Sequence, residues 1–192
     1  MKCKINGQIV RADKEKKDDS SFIKETFDWL SAIIFACTLI MLIFTVFKNF
    51  TVNGESMLPT LHDGDKLLVN KFMYTPKKGD IVTINAKKNL DKDIIKRVIA
   101  TGGDSFRIND DTHEVFVNGK PLDESYINEP TEFTGNWKIP DVIPQGYVLV
   151  MGDNRNNSLD SRFKEVGLIK INDIYGKAFV IYWPFNRIQM LS

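Results

Sequence analysis

The sequence predicts a mainly β domain carried behind one N-terminal membrane-spanning helix. Three observations predict it. The 19 residues from Trp29 to Phe47 carry no charge. After Lys48 the apolar runs are short and separated by turn residues. No stretch beyond residue 50 keeps a helical apolar period over three turns. The whole-chain averages conceal this division. With 26 Lys+Arg against 25 Asp+Glu and 43% hydrophobic residues among 192, the chain reads as an ordinary soluble protein. That balance excludes a strongly basic nucleic-acid binder, an acidic solvating tail protein and a disordered chain.

The uncharged run is bounded by Asp28 and Lys48, and sixteen of its residues are apolar. The other three, Ser31, Thr38 and Thr45, carry hydroxyls that can bond back to helix carbonyls. At about 1.5 Å per residue the run spans roughly 28 Å, close to the hydrocarbon thickness of a bilayer. A buried core helix rarely stays apolar on every face for so long. A cleaved leader would have a shorter apolar region and a small-residue cleavage site, whereas Lys48-Asn49-Phe50 follows here. The segment therefore reads as a retained anchor. Five Lys and Arg lie in the twenty residues before it and two in the twenty after it. That bias predicts a cytoplasmic N-terminus and an external C-terminal body.

The chain accordingly divides into a charged, solvated tail over 1–28, an anchor over 29–47 and an extracytoplasmic β domain over 48–192. Predicted strands are Lys66–Phe72, Asp80–Ile84, Ile94–Ala100, Ser105–Ile108, Glu114–Val117, Tyr147–Met151 and Ala178–Trp183. Gly102-Gly103-Asp104, Asn118-Gly119 and Gly152-Asp153-Asn154 supply turn chemistry between them. Residues 105–146 read as a hairpin followed by an excursion, because Leu122–Gly146 is Pro-interrupted and weakly periodic. Cys3 falls in the tail and Cys37 in the span, so no disulfide or thiolate metal site is expected. His62 and His113 are too few and too isolated to bind zinc.

Two local features invite a catalytic reading. In Gly54-Glu55-Ser56-Met57-Leu58-Pro59-Thr60 a serine sits in a tight segment, although most such serines only cap or solvate a turn. In Asp93-Ile94-Ile95-Lys96-Arg97-Val98, strand alternation puts Lys96 on one face between Ile94 and Val98. Burying an ammonium there is costly unless it is paired, snorkels to water or is neutralised. A lysine with its usual pKa of about 10.4 is almost wholly protonated at pH 7, and burial can lower that value by several units. Desolvated, Lys96 would make a general base.

Taken in order, four blocks resemble bacterial type I signal peptidases, and most closely the smaller, Gram-positive-type members with one N-terminal anchor. They are Gly54–Leu61, Gly79-Asp80-Ile81-Val82, Lys96–Ile99 with Gly103-Asp104, and the eleven residues Gly152–Arg162. The resemblance implies packed antiparallel sheets and a membrane-anchored serine endopeptidase. Such an enzyme cleaves N-terminal signal peptides from exported preproteins after small residues, at A-x-A sites, without a cofactor or metal. By position, Ser56 matches the nucleophile, Lys96 the general base and Ser158 the serine that hydrogen-bonds and orients the lysine. Asp153, Arg155, Asp160 and Arg162 match charged framework positions. Val52, Met57, Leu61 and Ile95 match positions lining shallow apolar pockets beside an extended substrate strand. The implied partners are signal peptides and membrane lipid, close to the secretion translocon, and not nucleic acid.

The sequence departs from the family pattern in two places. Gly54 stands where some relatives place a hydroxyl that helps the oxyanion hole, which leaves the Ser56 N–H as a principal donor. Ala100-Thr101-Gly102-Gly103-Asp104 replaces the usual G-x-P-G-D, so strand register after the lysine is less constrained. Two other readings compete. A catalytically silent homologue that holds exported chains would lose the serine or the lysine, and both are present. A cytosolic self-cleaving Ser/Lys regulator would need a DNA-binding module where residues 1–47 supply a tail and an anchor.

Overall fold

The computed structural model describes residues 11–132 and 135–191, with side chains from Ser21 onward. Cys3 and the first ten residues of the predicted tail lie outside the described residues. The chain forms two compact units that divide between Thr45 and Val46.

Among the described residues the first unit is a single helix, α1 (Arg11–Val46), whose last residue falls in the second unit. It begins well before the apolar run, within the segment read as a tail, because Ala12, Lys14, Glu15, Lys16 and Lys17 are all good helix formers. Ser21–Val46 is long and apolar enough to cross a membrane and fits a single-pass anchor. Its large side chains are exposed, Trp29, Phe35 and Met41 each by more than 70%. Ser31 and Thr38 donate to the carbonyls of Asp28 and Ile34, each at 2.8 Å, and Thr45 donates to Leu42 at 2.6 Å. Each hydroxyl is thus satisfied within the helix.

The second unit is mainly antiparallel β. Its strands are β1 (Phe47–Thr51), β2 (Lys66–Asn70), β3 (Ile81–Asn85), β4 (Asp93–Thr101), β5 (Phe106–Ile108), β6 (Val115–Val117), β7 (Lys120–Pro121), β8 (Tyr147–Met151), β9 (Ile169–Lys170), β10 (Ile174–Trp183) and β11 (Gln189–Met190). A one-turn helix, α2 (Lys87–Leu90), joins β3 to β4. The larger sheet runs β1-β2-β10-β3-β4-β8-β9, with β11 added to β10, and β5-β6-β7 form a small second sheet. Phe47, read as the last residue of the span, opens β1 instead. Gly176 lets β10 close on β2, because a Cβ there would stand 2.0 Å from the Asn70 carbonyl oxygen.

Strand β4 is buried along nearly its whole length and serves three apolar clusters. Ile95 packs with Leu67, Val69, Ile81 and Ile181. Ile94 and Val98 pack with Val82, Ile84 and Val150. Ile99 and Ala100 pack with Phe106, Val115, Leu149 and Met151. A strand covered on both faces holds whatever polar side chain it carries away from water.

The unusual turn after the lysine strand is closed by other means. Thr101 donates its N–H and its hydroxyl to Asp104, each at 2.9 Å. Burial alone would raise the Asp104 carboxyl, but the Thr101, Asn118 and Lys78 donors pull it down to about 2. Gly102 packs against Gln145, whose Cα would lie 2.9 Å from an added Cβ. Register does shift between Val98 and Ala100 as β4 pairs with β8.

Candidate active site

The segment after β1 folds back on itself. Val52 donates to the Asp65 carbonyl at 2.9 Å, and Gly64 donates to the Val52 carbonyl at 3.0 Å. Gly54 adopts φ +92°, a conformation in which only glycine is unstrained, and its N–H donates to the Asp63 carboxylate at 2.7 Å. Met57 and Leu61, fully buried, pin the turn to the core on either side of a cis Leu58–Pro59 bond. Ser56 is left at the surface of the turn, half-buried beside the cleft.

Lys96 comes from the middle of β4 and is 4% exposed. Its Nζ donates to Ser56 Oγ at 2.6 Å and to the Ile95 carbonyl at 3.0 Å. Burial is the main influence on the ammonium and lowers its pKa to about 8; the negative charges of Asp160 and Asp153 oppose the shift, while Lys92 and Arg162 reinforce it. Protonated, Lys96 is a donor to Ser56. Deprotonated, it presents a lone pair to the same hydroxyl.

The segment Gly152–Arg162 braces this pair from behind. Asp153 holds Arg97 through two bonds, at 2.8 and 2.7 Å, and accepts from Thr60 Oγ1 at 2.6 Å. Asn154 N–H donates to the Ser56 carbonyl at 3.1 Å. Asp160 holds Arg162 through two bonds, at 2.9 and 2.8 Å, and accepts from the Gly152 N–H at 3.0 Å. Arg155 bonds the Gly152 carbonyl at 3.1 Å and pairs with Glu124. Gly152 permits the approach, since an added Cβ would stand 2.2 Å from Ser158 Oγ and 2.4 Å from the Ser56 carbonyl oxygen.

An open cleft of about 520 Å³ runs along the pair. It is lined on one side by Lys48–Thr51 of β1 and on another by Lys92–Lys96. Among the described residues β1 is an edge strand paired with β2 alone. β4 meets β8 only from Arg97 onward, so among the described residues Asp93–Lys96 pairs with β3 alone. Two strand edges therefore face one groove.

A family model described as "Signal peptidase, peptidase S26" matches residues 26–183. The chain belongs to this signal peptidase family. It is 39% identical over 189 residues to the signal peptidase I P of Bacillus subtilis subsp. natto, covering 92% of this chain and 97% of that protein. It is 36% identical over 185 residues to the signal peptidase IB of Staphylococcus aureus, covering 86% and 94%. A crystal structure of a signal peptidase I from Enterococcus faecalis superposes with a TM-score of 0.45 at 25% identity, covering 54% of this chain and 97% of that one. The family assignment rests on the sequence matches.

Among the positions matched to this signal peptidase family, Ser56, Lys96, Asp153, Arg155, Asp160 and Arg162 come together as one connected group. Ser158 joins them in space, but the implied bond to Lys96 is not made. Among the described residues Ser158 Oγ is buried without a hydrogen-bond partner, and the Ile95 carbonyl takes the second Lys96 bond instead. Of the four positions matched to pocket lining, Ile95 borders the cleft. Val52, Met57 and Leu61 do not. At 1%, 0% and 0% exposure they pack in the core cluster that also contains Ile95.

Sequence reasoning assigned no role to Arg97, Thr60, Tyr126 or Arg187. Arg97 carried a signal, a second cation on a strand of buried apolar residues. Arg187 bonds Asp65 twice, at 3.1 Å, across 122 residues, and no local pattern announces that contact.

Proposed function

We propose that this chain is a serine endopeptidase that removes signal peptides from exported preproteins with a Ser56/Lys96 dyad. The observation that carries the reading is the 2.6 Å approach of a buried lysine amine to a serine hydroxyl beside an open cleft. Neutral Lys96 takes the Ser56 proton as Oγ attacks the scissile carbonyl carbon. The peptide C–N bond then breaks, the proton passes to the leaving amine, and the acyl group stays on Ser56. Water attacks the ester, gives a proton to Lys96, and Lys96 returns it to Ser56 Oγ as the acid departs. Among the described residues the Ser56 N–H has no hydrogen-bond partner, which suits it to receive the developing oxyanion.

The substrate is read as an extended strand laid between the open edges of β1 and Asp93–Lys96, a β-addition mode. Small residues of an A-x-A site match a groove whose floor is already filled by packed side chains. Near-neutral charge leaves shape and apolar contact to choose the substrate. The apolar helix and the Lys/Arg bias before it support an anchor in the cell membrane, with the N-terminus cytoplasmic and the β domain outside, near lipid and the secretion translocon.

The test is the purified full-length chain in detergent micelles with a precursor carrying an A-x-A site. Ser56→Ala and Lys96→Ala should each abolish processing. Cleavage retained by both variants would overturn the dyad.

A further inference from the structure

Behind the dyad, Arg97 and Arg155 share one aromatic cover. Tyr126 lies in the stretch Leu122–Gly146, whose described residues form no strand or helix. Its ring centroid is 4.0 Å from Arg97 Cζ and 5.8 Å from Arg155 Cζ, and Arg155 Nη2 approaches its hydroxyl at 3.4 Å. Burial pushes the phenol up to about 12, so the hydroxyl stays neutral beside the arginines.

The surrounding segment is fastened down. Arg155 Nη1 pairs with Glu124 and donates to Thr131 Oγ1 at 3.0 Å. Glu132 N–H donates to the Asn156 side chain at 3.1 Å, and Asn156 Nδ2 donates to the Pro130 carbonyl at 3.1 Å. Tyr126 is thus held over the framework by bonds on both sides of it.

What it covers explains why the residue is aromatic. Arg97 directs Nε and Nη2 to Asp153 and Nη1 to the Gly79 carbonyl, so its in-plane edge is committed. The exposed part of a guanidinium in that state is its weakly hydrated face, which an aromatic ring covers favourably. Excluding water there keeps the Arg97–Asp153 pair in a medium where its bonds are strong and directional. That pair joins both reacting residues. Arg97 follows Lys96 in the chain, while Asp153 accepts from Thr60 in the nucleophile turn and precedes Asn154, which bonds the Ser56 carbonyl.

We propose that Tyr126 is a positioning residue for the Ser56–Lys96 pair, acting by covering the Arg97 face and holding the Arg97–Asp153 brace in register. The inference rests on the dyad reading above. Steady-state kcat and KM are measured on the full-length chain in micelles with an A-x-A precursor, for wild type, Tyr126→Phe, Tyr126→Leu, Tyr126→Ala and Ser56→Ala. Each variant's thermal midpoint is recorded. Tyr126→Phe, which keeps the ring, should retain kcat within about threefold, whereas Leu and Ala should lower it by about 10–100-fold with KM nearly unchanged.

If Tyr126→Leu matches Tyr126→Phe, the ring only fills space and the positioning role is overturned. A loss confined to KM overturns it as well. Should Tyr126→Ala fail to fold, the comparison of Leu with Phe decides alone. Cleavage by Ser56→Ala would instead overturn the dyad reading and the inference with it, whereas unimpaired kcat in Tyr126→Leu beside an inactive Ser56→Ala removes the positioning role only.

Discussion

Lys96 donates to Ser56 across 2.6 Å while 96% of the lysine is withdrawn from solvent. Its two bonding partners are a hydroxyl and a backbone carbonyl, neither of them charged. Asp153 and Asp160 act on it at a distance, but both are already bound to arginines. The amine thus carries the cost of burial without a direct counter-ion, which favours its neutral form far more than water would.

That cost should be visible in stability. Burial lowers Lys96 from 10.5 to about 8 in the folded protein. Between those values the unfolded chain holds more protons than the folded one, so stability rises with pH across the interval. Below about pH 8 the penalty is fully present. At 1.36 kcal/mol per pH unit the full effect is about 3 kcal/mol. Tyr126, pushed up to about 12 by burial, acts oppositely above pH 10 and limits the useful window. Urea unfolding between pH 7.5 and 9.5 should show wild type gaining stability relative to Lys96→Met. Parallel curves for the two would refute a depressed lysine.

Gly152→Ala should disable catalysis while sparing the fold. The new methyl would collide with Ser158 Oγ and the Ser56 carbonyl, and the Ser56 side, being a turn, yields more easily than the braced segment. Displacement by about 1 Å can cost about 100-fold in rate, which sets the expected fall in kcat. Activity within threefold of wild type would contradict the close approach.

Arg97→Met leaves the Asp153 carboxylate buried with only Thr60 to satisfy it. Removing one partner of a buried pair costs about 3–5 kcal/mol. Chemical denaturation measures the loss directly. Arg97→Lys should recover little of it, because an ammonium cannot reproduce the two parallel bonds to Asp153 while also reaching the Gly79 carbonyl.

Much of the β domain is legible in the sequence wherever apolar runs are long enough. Tyr147–Met151 matches β8 residue for residue, and β4 extends its predicted range by one residue at each end. β1 escapes notice because hydrophobicity continues from Val46 into Phe47 without marking the change from helix to strand. β7, β9 and β11 are two residues each, too short for any alternation to register. Lys96 stands out because a cation amid Ile94, Ile95 and Val98 has to be explained. Its neighbours in the site do not stand out. The Arg97–Asp153 bonds span 56 residues and the Tyr126–Arg97 contact spans 29, separations that only the folded sheet order brings together. The burial of Val52, Met57 and Leu61 is not legible for a related reason, because a core apolar residue and a pocket apolar residue look the same in one dimension.

The central claim is that buried Lys96 works as a neutral base toward Ser56, and the pH dependence of kcat/KM for precursor cleavage tests it most directly. With the amine brought down to about 8, the rate should climb roughly tenfold per pH unit through neutrality and level off above about pH 8. A profile that peaks near pH 5, or one that is flat from pH 6 to 9, would contradict it.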